Sequence, residues 1–206
     1  MKFPRSGFVV MKAAGIILAG GKSSRFQGNK AFVELASQRI IDRIIFTLKE
    51  VFPKVILVTN TPEEYKTLGV EIVSDLIPCQ GPLSGIHAGL FTSPFDLNFV
   101  VACDMPFVRG DLGAYLVKRA TLDDDIVVPV VNGYPEPLCA VYRKSCISVI
   151  ESTLEAGIRK VTSIYQLLRV RYVPEEELEV FGGAETFFNI NTREDLKKVF
   201  QMSKFK

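Results

Sequence analysis

Histidine occurs once, at His87, and the four cysteines (Cys79, Cys103, Cys139 and Cys146) form no C-x-x-C pair. Such a set is a poor source of ligands for a zinc centre or iron–sulfur cluster. Most of the cysteines sit among apolar or small residues, a setting for free thiols in a reduced compartment, not for a disulfide framework. No apolar run approaches the roughly 20 residues that a membrane-spanning helix requires. The opening segment has only the short patch Gly7-Phe8-Val9-Val10, without a long hydrophobic region or small-residue cleavage site, so no secretory leader is expected. Met11 is a second candidate start, and residues 1–12 read as a loose extension. Charge of one sign is lacking too: 25 basic and 23 acidic residues leave a formal net charge of +2. No basic stripe interleaved with aromatics marks a nucleic-acid groove. The expectation is a cytoplasmic monomer with no nucleic-acid or membrane partner.

What is present is ordinary globular material, 48% hydrophobic and 23% charged over 206 residues. Without repeats, linkers or low-complexity tracts, residues 13–206 read as a single domain. Short β-rich runs alternate with helical patterns, the mark of an α/β fold whose mostly parallel sheet has helices on both faces. Strands are expected at 14–18, 55–58, 70–73, 98–102, 126–130, 138–142 and 170–173. Helices are expected at 40–51, 63–68, 83–91, 145–154 and 162–168, with a closing helix capped by Thr192 and with Asp195 in its first turn. The run at 98–102, nearly all apolar, fits a strand buried on both faces.

In open α/β sheets ligands bind beyond the carboxyl ends of the strands, and the chemistry-bearing residues fall there. The first strand leads into Leu18-Ala19-Gly20-Gly21-Lys22-Ser23-Ser24-Arg25, then Lys30. Glycines let backbone N–H groups approach an anion, and Arg25 and Lys30 can neutralise phosphate. The loop is neither of two familiar phosphate motifs. A Walker A sequence ending at Gly21-Lys22-Ser23 would need its first glycine at Ile16, and G-x-G-x-x-G is absent. Asn60, Asp75 and Asp104 each follow a strand. A carboxylate directly after the central strand suits Mg²⁺, which takes one or two carboxylates together with phosphate oxygens. Gly81-Pro82-Leu83-Ser84-Gly85 is a second glycine-bearing loop, opening a helix. His87 reads as a packed helix residue, and the runs Asp123-Asp124-Asp125 and Glu175-Glu176-Glu177 as solvated faces.

These motifs, with Cys103-Asp104-Met105-Pro106-Phe107, Pro135 before Leu138-Cys139-Ala140-Val141-Tyr142, Ala156-Gly157-Ile158-Arg159-Lys160 and Asn189-Ile190-Asn191-Thr192, occur in the order seen in molybdenum cofactor guanylyltransferases. From about Ala14 to Val199 the chain resembles that family, part of the wider sugar-nucleotidyltransferase-like superfamily. The resemblance implies a three-layer Rossmann-like nucleotidyltransferase domain that transfers GMP from GTP to the terminal phosphate of molybdopterin, in its molybdenum-loaded form, and releases pyrophosphate. It implies nucleotide contacts from Leu18, Ala19, Gly20, Gly21, Lys30, Asn60, Asp75 and Asp104, with Asp104 also the Mg²⁺ ligand. Lys30, Arg25 and Asp104 would be the catalytic set. Asn189, Asn191, Arg159 and Lys160 would lie on the pterin side. Other proteins of cofactor biosynthesis, or acceptor enzymes, would be macromolecular partners.

Two positions depart from the family's usual Arg-Met-Gly-x-Asp-Lys. Gln27 replaces a glycine, and Asn29 replaces an aspartate beside Lys30, while the spacing from Arg25 to Lys30 is kept. Two rivals stay open at this point. One is a cytidylyltransferase acting on molybdopterin or a sugar-alcohol phosphate, disfavoured because such enzymes more often carry Leu-Ala-Ala-Gly in the first loop. The other is a non-catalytic GTP-binding module.

Overall fold

The computed structural model describes residues 11–20, 29–77 and 81–202. The reading of residues 1–10 as a loose extension therefore lies outside them, as do Gly21, Arg25, Gln27 and Cys79. In chain order the elements are β1 (Ala13–Leu18), β2 (Glu34–Leu35), β3 (Gln38–Arg39), α1 (Ile40–Lys49), β4 (Lys54–Val58), β5 (Glu71–Val73), α2 (Pro82–Thr92), β6 (Leu97–Ala102), α3 (Gly110–Arg119), β7 (Ile126–Val131), β8 (Tyr134–Pro135), β9 (Cys139–Arg143), α4 (Cys146–Glu155), β10 (Val170–Val173) and α5 (Arg193–Gln201). Short 3₁₀ segments join them.

The main sheet runs β10-β7-β9-β6-β1-β4-β5, with β8 paired to β7. All its long strands are parallel except β9, which lies antiparallel between β6 and β7. β1 is central and every one of its residues is buried. Its side chains alternate between two cores, as the pleat demands. Ile17 joins α1 and α3 on one face, and Ile16 and Leu18 join α2 and α4 on the other. The expected α/β layering, with helices on both faces, is the one observed.

The expected strands all form. Two expected helices, however, are 3₁₀ segments, Pro62–Leu68 and Val161–Gln166. The first starts on Pro62 and stops at Gly69 in the left-handed conformation (φ 62°), too few residues for a stable α-helix. α3 is absent from the sequence-based expectation, because Gly110 and Gly113 weaken its helical pattern. Packing requires both: a Cβ on Gly110 would lie 2.1 Å from the Thr47 carbonyl oxygen, and one on Gly113 would lie 2.7 Å from Phe99. Asn132 (φ 50°) and Gly133 (φ 79°) turn the chain into β8, another element that the apolar pattern does not reveal.

The acidic runs are corrected by the structure. Asp123 is exposed, but Asp124 and Asp125 are buried at 8% and 7%. Asp124 pairs with Arg171 (2.7 Å), and Asp125 with Arg169 (3.1 Å) and Ser145 (2.6 Å). In the second run, Glu177 accepts hydrogen bonds from Tyr115 and Arg119, and Glu175 accepts one from the Asn132 N–H. Each run staples a strand edge or helix instead of facing only water. His87 is packed as expected, 3% exposed, with Nε2 3.0 Å from Glu151 across the α2–α4 contact. Thr192 caps α5 in a reciprocal capping box with Asp195. Among the described residues no helix is long and apolar enough to cross a membrane.

Candidate active site

The parallel strands β1, β4, β5 and β6 deliver their carboxyl ends to one rim, and hydrogen bonds lock those ends together. Cys103 N donates to the Leu18 carbonyl (3.0 Å), Ala19 N to that of Val58 (2.8 Å), and Thr59 N to that of Val73 (2.9 Å). Leu18 and Ala19 are buried, and no atom of the described residues lies within 4 Å of where a Cβ on Gly20 would stand. A bare backbone at a strand end is what a close-approaching anionic ligand requires.

On the α1 side of this rim lies Lys30, the first residue of a 3₁₀ turn, Lys30–Phe32, capped by the Asn29 side chain. Its ammonium donates to Asn191 Oδ1 (3.1 Å) and stands 3.8 Å from Asp104 Oδ2. The two charged side chains are largely covered, 16% and 22% exposed. Burial raises the Asp104 carboxyl above its ordinary range, opposed by the positive charge of Lys30. The neighbouring Cys103 thiol is pushed up to about 12 by burial, which keeps it protonated at neutral pH. Ile190 N donates to the Asp104 carbonyl (3.0 Å), bringing the Asn189–Thr192 segment to the end of β6. Asn191 thus meets Lys30, while the Asn189 amide donates locally to the Phe187 carbonyl (3.0 Å).

On the α2 side, Asn60 and Asp75 hold each other through two hydrogen bonds, Asn60 Nδ2 to Asp75 Oδ2 (2.9 Å) and Asp75 N to Asn60 Oδ1 (3.1 Å). Ser84 Oγ adds a third at 3.0 Å. That hydroxyl sits in the first turn of α2, on a fully buried residue. It reaches Asp75 because α2 lies close on the sheet. Gly85 would set a Cβ 3.2 Å from Leu18, and Gly89 one 2.6 Å from Ile16. Gly81, at φ 145°, occupies a backbone region that side chains disfavour, and it turns the chain into the helix.

The structure therefore brings Lys30, Asp104 and Asn191 together, and separately Asn60 with Asp75. Arg159 and Lys160 do not join Asn191. They are exposed between α4 and Val161–Gln166, with Arg159 beside Gly81, 3.7 Å from where a Cβ on that glycine would be. Ser84 is missing from the sequence-based set, although its place inside the glycine-bearing loop is a usable signal. Glu64 and Tyr65, which hold Asn29, carry no motif that could flag them.

The residues also bear on a divalent cation. Among the described residues there is no group of three or more histidine, cysteine or carboxylate side chains able to cage a metal. Asp104 is a single partly covered carboxylate facing the rim, a donor set that fits an ion completing its shell with phosphate and water oxygens.

Residues 15–172 match the MobA-like NTP transferase domain. A Pelotomaculum thermopropionicum protein described as "Probable molybdenum cofactor guanylyltransferase" is 43% identical over 94% of this chain and 95% of its own length. The "Molybdenum cofactor guanylyltransferase" of Desulfosudis oleivorans is 41% identical over 89% and 92%. The crystal structure of molybdopterin-guanine dinucleotide biosynthesis protein A from Archaeoglobus fulgidus superposes with a TM-score of 0.81 at 30% identity, covering 93% of this chain and 98% of that one. Fold and sequence agree, and the chain belongs to the MobA-like NTP transferase family of nucleotidyltransferases.

Proposed function

We propose that this protein transfers GMP from GTP to the terminal phosphate of molybdopterin in its molybdenum-loaded form, releasing pyrophosphate, with Mg²⁺ held at Asp104. The observation that carries the reading is the Lys30 ammonium fixed between Asp104 and Asn191 at the end of β6. The guanylyltransferase names of relatives at 43% and 41% identity favour guanine over cytosine.

The acceptor's terminal phosphate is already anionic, so no strong general base is needed. Its oxygen forms a bond to the α-phosphorus of GTP while the bond from that phosphorus to the β-phosphate bridging oxygen breaks. The electron pair leaves with pyrophosphate. The obstacle is bringing anions together, and it is met by positioning and preorganised positive charge. Lys30 supplies a cation that needs no reorientation, because Asn191 holds its Nζ from one side. Asp104 would hold the metal ion, which supplies Lewis-acid charge neutralisation when bound. Leu18, Ala19 and Gly20 would line the nucleotide with backbone, and the Asn60–Asp75–Ser84 cluster would hold the guanosine. Asn189 and Asn191 would face the pterin, and Arg159 and Lys160 would border the entrance beside Gly81.

The test is direct. The purified protein is incubated with molybdenum-loaded molybdopterin, Mg²⁺ and each NTP in turn, and dinucleotide and pyrophosphate are followed. Product with GTP alone is expected. Product with CTP instead would overturn the base assignment, and GTP binding without product from any NTP would mark a non-catalytic module. Lys30→Ala is expected to abolish most turnover with the fold intact, and Asp104→Asn to remove the Mg²⁺ dependence. Near-normal turnover in the first, or unchanged metal activation in the second, would remove that residue from the mechanism.

A further inference from the structure

The residue preceding Lys30 is Asn29. Its amide is engaged at both ends. Oδ1 accepts from Ala31 N (3.1 Å) and so caps the turn that begins with Lys30. Nδ2 donates to Glu64 Oε2 (2.7 Å) and to the Tyr65 hydroxyl (2.8 Å). Both partners belong to the 3₁₀ segment Pro62–Leu68, and Tyr65 is 1% exposed. The Tyr65 ring lies 5.0 Å, centroid to centroid, from that of Phe32 at the far end of the same turn. The turn bearing Lys30 is thus pinned at both ends to one segment, while its ammonium is pinned to Asn191 and Asp104.

From this we infer that Asn29 is a positioning residue for Lys30, and that Glu64 is what makes an amide necessary here. A donor can face a carboxylate oxygen at 2.7 Å, whereas a second carboxylate cannot unless the two share a proton. Aspartate at position 29 would keep the cap to Ala31 but set like charges against each other across the contact. The turn would then yield, and the lysine with it. Asn29 and Glu64 form a matched donor–acceptor pair across 35 residues. The inference rests on the proposed role of Lys30 in phosphate chemistry.

Four proteins test it: wild type, Asn29→Asp, Glu64→Gln and the double variant. Each is assayed for kcat and KM with GTP in dinucleotide formation, for equilibrium binding of Mg²⁺–GTP, and for thermal midpoint. N29D is expected to lose about five- to tenfold in kcat/KM, the cost of its two amide hydrogen bonds at a contact that solvent reaches. The double variant should return to within about threefold of wild type, because a glutamine amide can donate to the carboxylate introduced at position 29 and restore the bond with its polarity reversed. E64Q alone stays within about threefold. Kinetics are read well below the lowest thermal midpoint, so that lost positioning is told from lost folded protein. Wild-type kcat/KM in N29D, or a folded double variant no better than N29D, overturns the pairing. Should N29D fail to fold, Asn29→Ser, which keeps the cap but loses both amide bonds, is expected to fall about three- to fivefold, and wild-type kinetics there overturn the inference. If wild type binds Mg²⁺–GTP but forms no dinucleotide, the proposed reaction fails, and the same four-protein pattern is then read in nucleotide affinity. Equal affinities across the set would overturn the pairing on its own.

Discussion

Asp125→Asn measures the ionic staple that ties β7 to β10 and to the start of α4. Asp125 accepts hydrogen bonds from the Arg169 backbone N–H (3.0 Å), the Arg169 side chain (3.1 Å) and Ser145 (2.6 Å). Burial alone would raise its carboxyl, but these bonds and the guanidinium charge outweigh burial and hold it at about 2, against an ordinary value of 3.8. By linkage that difference carries at most about 2.4 kcal/mol at neutral pH. The Arg169 side chain is 61% exposed and screened by solvent, so the expected loss in the variant is about 1–2 kcal/mol. For a chain of this size that lowers the melting midpoint by roughly 2–8 °C. The sign follows from a depressed folded value. The contribution is complete above the unfolded value of 3.8 and is lost as pH falls through about 2. Urea unfolding of wild type and variant at pH 7, 5 and 3 should show the full gap at the first two and about half of it at pH 3. A gap that is the same at pH 7 and pH 3, or absent at pH 7, would refute the assignment.

Two further substitutions probe the α2 side of the rim. Ser84→Ala removes one hydrogen bond to Asp75 and should raise KM for GTP about three- to tenfold, with kcat far less affected. A pure kcat effect in steady-state assays would count against a nucleotide-holding role. Gly89→Ala drives a methyl group to 2.6 Å from Ile16 Cγ2 and 2.9 Å from its Cδ1 and should cost about 1–3 kcal/mol in thermal unfolding, with a small part recovered by Ile16→Val, which removes Cδ1 alone. A Gly89→Ala protein as stable as wild type would show that α2 can rise from the sheet at no cost.

The frame of this molecule is legible in the sequence because its central elements obey simple patterns. β1 and β6 are almost wholly apolar, since both of their faces are covered. Gly81-Pro82 announces the start of α2, and Thr192 with Asp195 announces α5. α3 escapes because its glycines serve packing against Thr47 and Phe99, a tertiary demand that outweighs helix propensity. Asp124 and Asp125 look like a solvated face because their partners, Arg171 and Arg169, lie more than 40 residues away. In the candidate site the strand-end residues can be read as a group, since topology alone sends them to one rim. Which side of the rim each occupies cannot: only the folded chain sets Arg159 beside Gly81 and Asn191 on Lys30. The Asn29–Glu64 contact is invisible for the same reason, because its two partners stand 35 residues apart.

The bond between Lys30 and Asn191 spans 161 residues. On the ribosome, the lysine and the strands behind it emerge long before its anchor does. Asn191 is itself fixed by the cap of α5, since both its N–H and that of Thr192 donate to Asp195. A partly synthesised chain therefore carries the cation without the group that aims it. The tether arrives late, with the docking of α5, so a chain interrupted before residue 195 holds most of the strand-end rim yet lacks the bond that fixes the Lys30 ammonium.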